Sequence, residues 1–267
     1  MKEFAKACLP PLLANYVRIL LRTGNRFTGS FSSWDEARFV SSGYDAPEIL
    51  DRCRKTLLRV KSGEAACERD SVLFAEAQHS WPVLASLSRA ALEDERLDIL
   101  DFGGSLGSSY FQYRSCLQAA QSLRWSVVEQ PHFVACGRAE FEDECLRFYS
   151  SVQECLRERQ PNVLLLSSVL QYLPDPRAAV DDLIEAKIPW LIVDRTPLTK
   201  NETCLCVQKV DPSIYRASYP CWIFNENQFY SWFHKGKIIC RFHFHHDKFY
   251  TSRGKPFSLK GFIVKFD

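Results

Sequence analysis

The sequence predicts an α/β fold: a Rossmann-like sheet, mostly parallel with an antiparallel last strand, flanked by helices and preceded by an N-terminal helical extension. Three observations predict it. From residue 97 onward, short apolar runs alternate with helix-like segments, the pattern of a parallel sheet covered on both faces. The first run leads through a glycine-rich loop into a helix-compatible stretch, "LDILDFGGSLGSSY" at 97–110. Before residue 95 no strand-like run stands out, which divides the chain into a helical extension or lid, 1–95, and a sheet domain, 96–267.

Taken in order, "FAKACLPPLLANYVRILLR" (4–22) is broken by Lys6, Pro10, Pro11, Asn15 and Arg18. It lacks the continuous apolar core of a cleavable signal and the roughly 18 apolar residues of a bilayer span. It reads as an amphipathic helix, either packed on the domain or lying in a membrane interface with Arg18, Arg22 and Arg26 toward headgroups. "SWDEARFV" (33–40) carries a Ser-x-x-Glu cap, and "APEILDRCRKTLLRV" (46–60) sets Ile49, Cys53, Leu57 and Val60 on one helical stripe. "RDSVLFAEAQHSWPVLASLSRAAL" (69–92) continues as helix, with Pro82 opening its second half. The strands expected next are "LDIL" (97–100), "WSVVE" (125–129), "LRFY" (146–149), "NVLLLSS" (162–168) and "WLIVD" (190–194). Helices are expected between them at 108–120, 131–142 and 176–186, the last capped by Asp175 with Pro176 at its first position. Beyond residue 200 the chain reads mainly as strands, "TCLCVQKV", "KIICRFHFHH" and "KGFIVKF", with one helix at 226–235 and an aromatic loop, "PSIYRASYPCW" (212–222).

The 267 residues are 46% apolar and 25% charged, with a formal charge of +2. That is an ordinary globular composition with no electrostatic case for nucleic acid. The 11 cysteines form no C-x-x-C pair and read as reduced thiols of a cytoplasmic protein, at the inner face of the membrane if the first helix is interfacial.

The glycine loop is the chemical signal. In an open α/β sheet, ligands bind beyond the carboxyl ends of the strands, and Gly103 and Gly104 would let backbone approach one there. Gly107 would let the next helix pack on the strand, and that helix start offers free N–H groups. Glu129 ends the second strand twenty-two residues after Gly107, where an acid accepts hydrogen bonds from ribose hydroxyls. NAD and S-adenosylmethionine both fit that acid. Asp101, two residues before Gly103, would repel a pyrophosphate but suits an ammonium, which favours S-adenosylmethionine. Ser105, in place of a middle glycine, is small enough to admit the ligand.

The segments "LDILDFGGSLGSSY", "WSVVEQPHF", "NVLLLSSVLQYLPDP" and "WLIVDRTP" resemble the successive motifs of class I S-adenosylmethionine-dependent methyltransferases. With "GYDAPEIL", "ERDSVLF" and "PSIYRASYPCW", nearly the whole chain resembles a bacterial methyltransferase family found among polysaccharide-biosynthesis proteins. The resemblance implies methyl transfer to a sugar or glycan precursor. It implies cofactor contacts from Asp101, Gly103, Gly104, Ser105, Gly107, Glu129 and Gln130, from Tyr149, Ser150 and Ser151 on the adenine side, and from Ser167 and Ser168 after strand four. Tyr172 departs from the family by standing where a histidine is common.

Methylating a hydroxyl requires a group to take its proton. His132 is read as a base or adenine-side contact, or as a helix-start histidine bonded to backbone. Asp194 is read as an acceptor-side base or as the structural partner of Arg195, which can instead hold an anionic substrate group. Tyr215, Tyr219 and Trp222 form a stacking floor for a sugar ring or pack the sheet edge, with Tyr219 a further catalytic candidate and Tyr172 a substrate contact. In "HFHHD", His243 and His245 share a strand face, but too few ligands accompany them for zinc, so no metal is expected. Two other functions remain: methylation of a small natural product at nitrogen or oxygen, and a methyltransferase-like interaction module without chemistry.

Overall fold

The structure, a computed structural model, describes residues 25–43, 47–117 and 122–266. The chain begins with β1 (Arg26–Phe31), α1 (Trp34–Phe39), α2 (Pro47–Lys61), the β2 (Cys67–Arg69) and β3 (Val72–Phe74) hairpin, and α3 (Trp81–Asp94). Alternation follows: β4 (Leu97–Phe102), α4 (Ser108–Tyr113), β5 (Leu123–Val128), α5 (Pro131–Glu140), β6 (Leu146–Tyr149), α6 (Val152–Glu158), β7 (Val163–Ser167), a 3-10 turn (Leu170–Tyr172), α7 (Pro176–Glu185) and β8 (Trp190–Thr199). The chain finishes with β9 (Cys204–Lys209), β10 (Ser218–Asn225), α8 (Glu226–Ser231), β11 (Lys237–Tyr250) and β12 (Pro256–Lys265). It forms two compact units, 1–49 with 197–230 and 243–260, and 50–196 with 231–242 and 261–267. Neither unit is one continuous segment, whereas the sequence reading divides the chain once.

The larger unit is the doubly wound sheet. Its parallel strands stand in the order β6-β5-β4-β7-β8, so the chain reverses direction across the sheet between β4 and β7. Ligand sites of open α/β sheets form at such a switch point. The strands are nearly continuous apolar runs because helices cover both faces: Ile99, Leu100, Val127, Val163 and Ile192 are at 0% exposure. Gly137 of α5 lies directly on the Phe148 ring of β6, where a Cβ would come within 2.5 Å. The last strand closes the edge: the Phe266 N–H donates to the Pro189 carbonyl (2.9 Å) and Gly261 stands against the Val193 carbonyl, so β12 runs antiparallel to β8. The mostly parallel sheet with an antiparallel last strand is the architecture expected from the sequence.

In the other unit, β1 pairs antiparallel with β9, β9 antiparallel with β10, and β10 parallel with Leu198 and Thr199 at the end of β8. Ala37, Leu205 and Val207 form a buried cluster, with Phe31, Trp34 and Trp222 packed on it.

Several expectations are corrected. The segment before residue 95 is not all helix. β1 is a strand whose alternation is diluted by Gly29 and Ser30. The β2–β3 hairpin turns through Asp70 and Ser71, both left-handed (φ 51° and 62°), a conformation that hairpin turns usually fill with glycine or asparagine. "SYPCWIFN" is strand β10, not loop; Pro220 misleads because its side of the ladder pairs only with β9. α4 ends at Tyr113, and 118–120 lie outside the described residues, as does the proposed amphipathic helix at 4–22. The stripe on α2 is as expected, with Ile49, Leu57 and Val60 buried and Cys53 half-buried. The caps also appear: Ala178 N–H donates to Asp175 (3.0 Å), and Glu36 N–H to Ser33 (3.3 Å). Among the described residues every cysteine is free and no helix is long and apolar enough to cross a membrane.

Candidate active site

The carboxyl edge of the parallel sheet gathers the left-handed, non-glycine residues. Ser105 follows β4, Ser168 follows β7, Arg195 lies in β8, and Asp70 and Ser71 form the hairpin turn; these are five of the seven such residues described. Backbone held in this sparsely populated region clusters where surrounding structure demands it, as at ligand sites.

At the β4–β5 end, Asp101 is 1% exposed and accepts a hydrogen bond from Trp125 Nε1 (3.1 Å). Burial pushes its carboxyl up to about 7, against the Trp125 hydrogen bond and with the help of nearby Glu129. The glycine loop closes over it. A Cβ on Gly104 would stand 2.6 Å from the Asp101 carboxylate, and one on Gly103 (φ 73°) would stand 2.3 Å from Val169 Cγ2. These glycines therefore make room for the Asp101 and Val169 side chains. Asp101 supports the loop from beneath. Gly107 caps α4 at φ 93° with Leu146 against it, the tight packing expected of it.

Glu129 stands one residue past β5, half-buried. Its carboxylate accepts from the Gln130 N–H at 2.5 Å and from the Ser105 N–H of the glycine loop. Burial raises its pKa and these two amides hold it back. Glu129, Gln130 and Ser105 are thus brought together. On the loop's other flank is a residue the sequence reading missed. Glu68 of β2 is 7% exposed and accepts hydrogen bonds from the Ser108 hydroxyl, at the start of α4, and from the Ser71 N–H (2.9 Å). Burial raises its pKa.

At the β7–β8 end, Ser167 and Asp194 are register neighbours, and the Ser167 hydroxyl donates to Asp194 Oδ2 (3.0 Å). The Ser168 N–H donates to the Asp194 carbonyl (2.9 Å), and the Ser168 hydroxyl accepts from Gln171 (2.9 Å). Asp194 is 3% exposed, and burial raises its pKa while Arg195 and Ser167 oppose the rise. Arg195 forms an ion pair with Asp70 of the hairpin turn (2.7 Å). Burial works against its charge, but Asp70 and Asp194 outweigh burial and keep its pKa above the ordinary value. Tyr172 lies close enough to contribute in the same direction.

The remaining expected site residues fall elsewhere. Ser151 caps α6 by accepting from the Glu154 N–H (3.1 Å), and the Ser150 N–H donates to the Glu154 carboxylate (2.7 Å), so both are engaged in a helix cap. Tyr149 is buried with its hydroxyl between Glu158 and Arg159 (3.2 and 3.3 Å). His132 lies in the first turn of α5, its Nε2 buried and without a hydrogen-bond partner. Tyr215, Tyr219 and Trp222 belong to the smaller unit. Trp222 stacks on Trp34 (6.4 Å between ring centres) and packs on that unit's core, and Tyr219 is buried on β10, which is core packing and not an open stacking floor. His243 is exposed, and the side chains of His245 and His246 lie outside those described. Among the described residues no three His, Cys, Asp or Glu side chains converge as metal ligands.

No protein-family model and no curated protein matches this chain. Among solved structures, a Clostridium acetobutylicum S-adenosylmethionine-dependent methyltransferase is similar at 11% identity over 68% of this chain and 92% of its own, with a TM-score of 0.44. The N-terminal domain of EvdMO1, solved with S-adenosylhomocysteine and D-fucose, is similar at 13% identity over 83% and 100%, with a TM-score of 0.45. The [4+2]-cyclase SpnF is similar at 11% identity over 82% and 94%, with a TM-score of 0.48. These are likenesses of fold.

Proposed function

We propose that the chain is an S-adenosylmethionine-dependent methyltransferase acting on a hydroxyl of a sugar or glycan precursor. The observation that carries this reading is the Glu129 carboxylate, just past β5, bridging the Gln130 and Ser105 amides at the mouth of the glycine loop. Ribose hydroxyls are donors of the kind those amides now supply.

The donor set fits a cation better than a dinucleotide. Asp101, Glu129 and Glu68 surround the loop, and Glu68 lies against Ser108 at the start of α4, where a Rossmann pyrophosphate would sit. When bound, S-adenosylmethionine supplies a sulfonium methyl whose carbon–sulfur bond breaks, with the electron pair left on sulfur, as the acceptor oxygen bonds to carbon. Glu129 would hold the ribose, and the Ser105–Ser108 turn would carry the amino-acid end. Asp194, buried beside Ser167, would take the proton released by the acceptor oxygen. Burial raises its pKa, which makes it a stronger base than an ordinary aspartate.

Calorimetry with S-adenosylmethionine and S-adenosylhomocysteine tests the reading, with binding of both expected. Glu129→Ala should weaken that binding at least fivefold while the circular-dichroism spectrum stays unchanged. Absence of binding to the wild-type protein refutes the proposal.

A further inference from the structure

The described cysteines divide by chemistry. Most are buried or half-buried. Burial pushes the Cys53 and Cys155 thiols up to about 11 and raises Cys136, Cys145 and Cys204 as well, which withholds the reactive thiolate. Two of the described cysteines are exposed, Cys116 and Cys240, and their surroundings differ. The Cys240 thiol donates to the Arg241 carbonyl (3.8 Å), an acceptor that leaves the proton on sulfur. The Cys116 sulfur instead lies 3.7 Å from Nε2 of His79, and an imidazole nitrogen can take the proton.

The fold holds this contact in place. Cys116 follows α4, and His79 precedes the Ser80 cap of α3. Three further contacts join the two segments. The Gln112 side-chain amide donates to the Gln78 carbonyl, and the Ser80 N–H donates to the Tyr113 hydroxyl (3.3 Å). The imidazole lies face to face with the Tyr113 ring, 5.9 Å between centres and 29° between planes. Trp81 packs at a steep angle to the imidazole from 5.5 Å. An aromatic face attracts a positive ring above it, so the Tyr113 stack favours the imidazolium that forms when the thiol ionises. Nδ1 of His79 is buried and has no hydrogen-bond partner, which leaves Nε2, on the Cys116 side, as the nitrogen that exchanges protons.

We propose that Cys116 and His79 form a nucleophile–base pair, and that the Cys116 thiol is a modification site for hydroperoxides. The pair uses none of the residues placed on the cofactor or at Asp194, and it stands independently of the methyltransferase reading. Exposure admits the oxidant, and the base within hydrogen-bond reach supplies the thiolate. With hydrogen peroxide, Nε2 takes the thiol proton and the thiolate sulfur attacks one peroxide oxygen. A sulfur–oxygen bond forms while the oxygen–oxygen bond breaks, its electron pair leaving on hydroxide. The imidazolium gives its proton to that hydroxide, which departs as water. Sulfur is oxidised to the sulfenic acid and the peroxide is reduced, with no further reactant. Cys240 is equally open to the oxidant but has a carbonyl where Cys116 has a base, so exposure alone does not make it a second site.

The test is dimedone trapping on the full-length protein, treated with less than one equivalent of hydrogen peroxide and read by peptide mass spectrometry. Adducts are expected on Cys116 at about ten times the level on Cys240. His79→Asn should lower the Cys116 adduct about fivefold and leave the Cys240 adduct unchanged. Cys53 and Cys155 should stay unlabelled in both proteins, which shows that the variant is folded. Equal labelling of Cys116 and Cys240 in the wild-type protein overturns the proposal without any variant. Undiminished labelling of Cys116 in folded His79→Asn protein overturns it as well, because the thiol would then react through exposure alone.

Discussion

The β4–β5 and β7–β8 ends of the sheet both bury acids, and they treat them in opposite ways. At β4–β5, Asp101 is bonded to Trp125 and roofed by Gly104, and Glu129 is bonded to two amides. That end is a finished cradle, held in shape by its own hydrogen bonds. At β7–β8, one oxygen of Asp194 is bonded to Ser167 and the other has no donor, and Ser80 and Gln171 also leave atoms unpaired. A cofactor common to many reactions needs the first kind of site, whereas an acceptor that must be discriminated is better served by the second. Unmet hydrogen bonds penalise any molecule that fails to supply them.

The comparison breaks most readily at Gly104. Gly104→Ala places a methyl group 2.6 Å from the Asp101 carboxylate, so either the loop lifts or Asp101 leaves Trp125. A loss of about 3 kcal/mol in urea unfolding is expected, together with at least tenfold weaker cofactor binding. Wild-type values for both would show that the loop does not rest on Asp101.

A second, pH-dependent effect, of about 1.4 kcal/mol per pH unit, belongs to the charge on Asp101. Its folded pKa, pushed up to about 7 by burial, lies above the value near 4 expected of an unfolded aspartate. The folded state therefore binds the proton more tightly. The resulting stabilisation is complete below pH 4, declines as pH rises from 4 to 7, and is absent above 7. Asp101→Asn should remove this slope, so the stability difference between variant and wild type should move in the variant's favour across that window. Parallel pH profiles would contradict the burial of an ionising Asp101.

These two ends also differ in how far the sequence exposes them. Asp101, Gly107 and Glu129 sit at fixed spacings along one strand–loop–helix–strand unit, so their neighbourhood is local and readable. The surroundings of Asp194 are assembled from Ser80, Tyr113 and the Ser167–Gln171 stretch, which lie on three separate segments, and no periodicity links them. Ser80 stands at the N-cap before Trp81-Pro82, and only the missing side-chain cap hydrogen bond sets it apart. Glu68 was missed because its hairpin turns through Asp70-Ser71 without a glycine. Trp222 and Tyr219 misled in the opposite sense: an aromatic cluster beside a proline looks like a binding loop, but β9 pairing turns it into core.

The smallest effect sharpens the boundary between the two ends. The Tyr113 hydroxyl accepts the Ser80 N–H at a buried position, so Tyr113→Phe leaves that amide unpaired and should cost about 1 kcal/mol in urea unfolding. Because Tyr113 acts on Ser80 and Asp194 and not on Glu129, S-adenosylhomocysteine affinity should stay within twofold of wild type. Calorimetry decides it. A loss comparable to that of Glu129→Ala would mean that the hydrogen bonds at Ser80 reach the cofactor cradle, and the two ends would then be one cooperative site in which cofactor binding orders the acceptor pocket. Unchanged affinity alongside lower stability is the result expected of two sites that share a sheet edge but not a hydrogen-bond network.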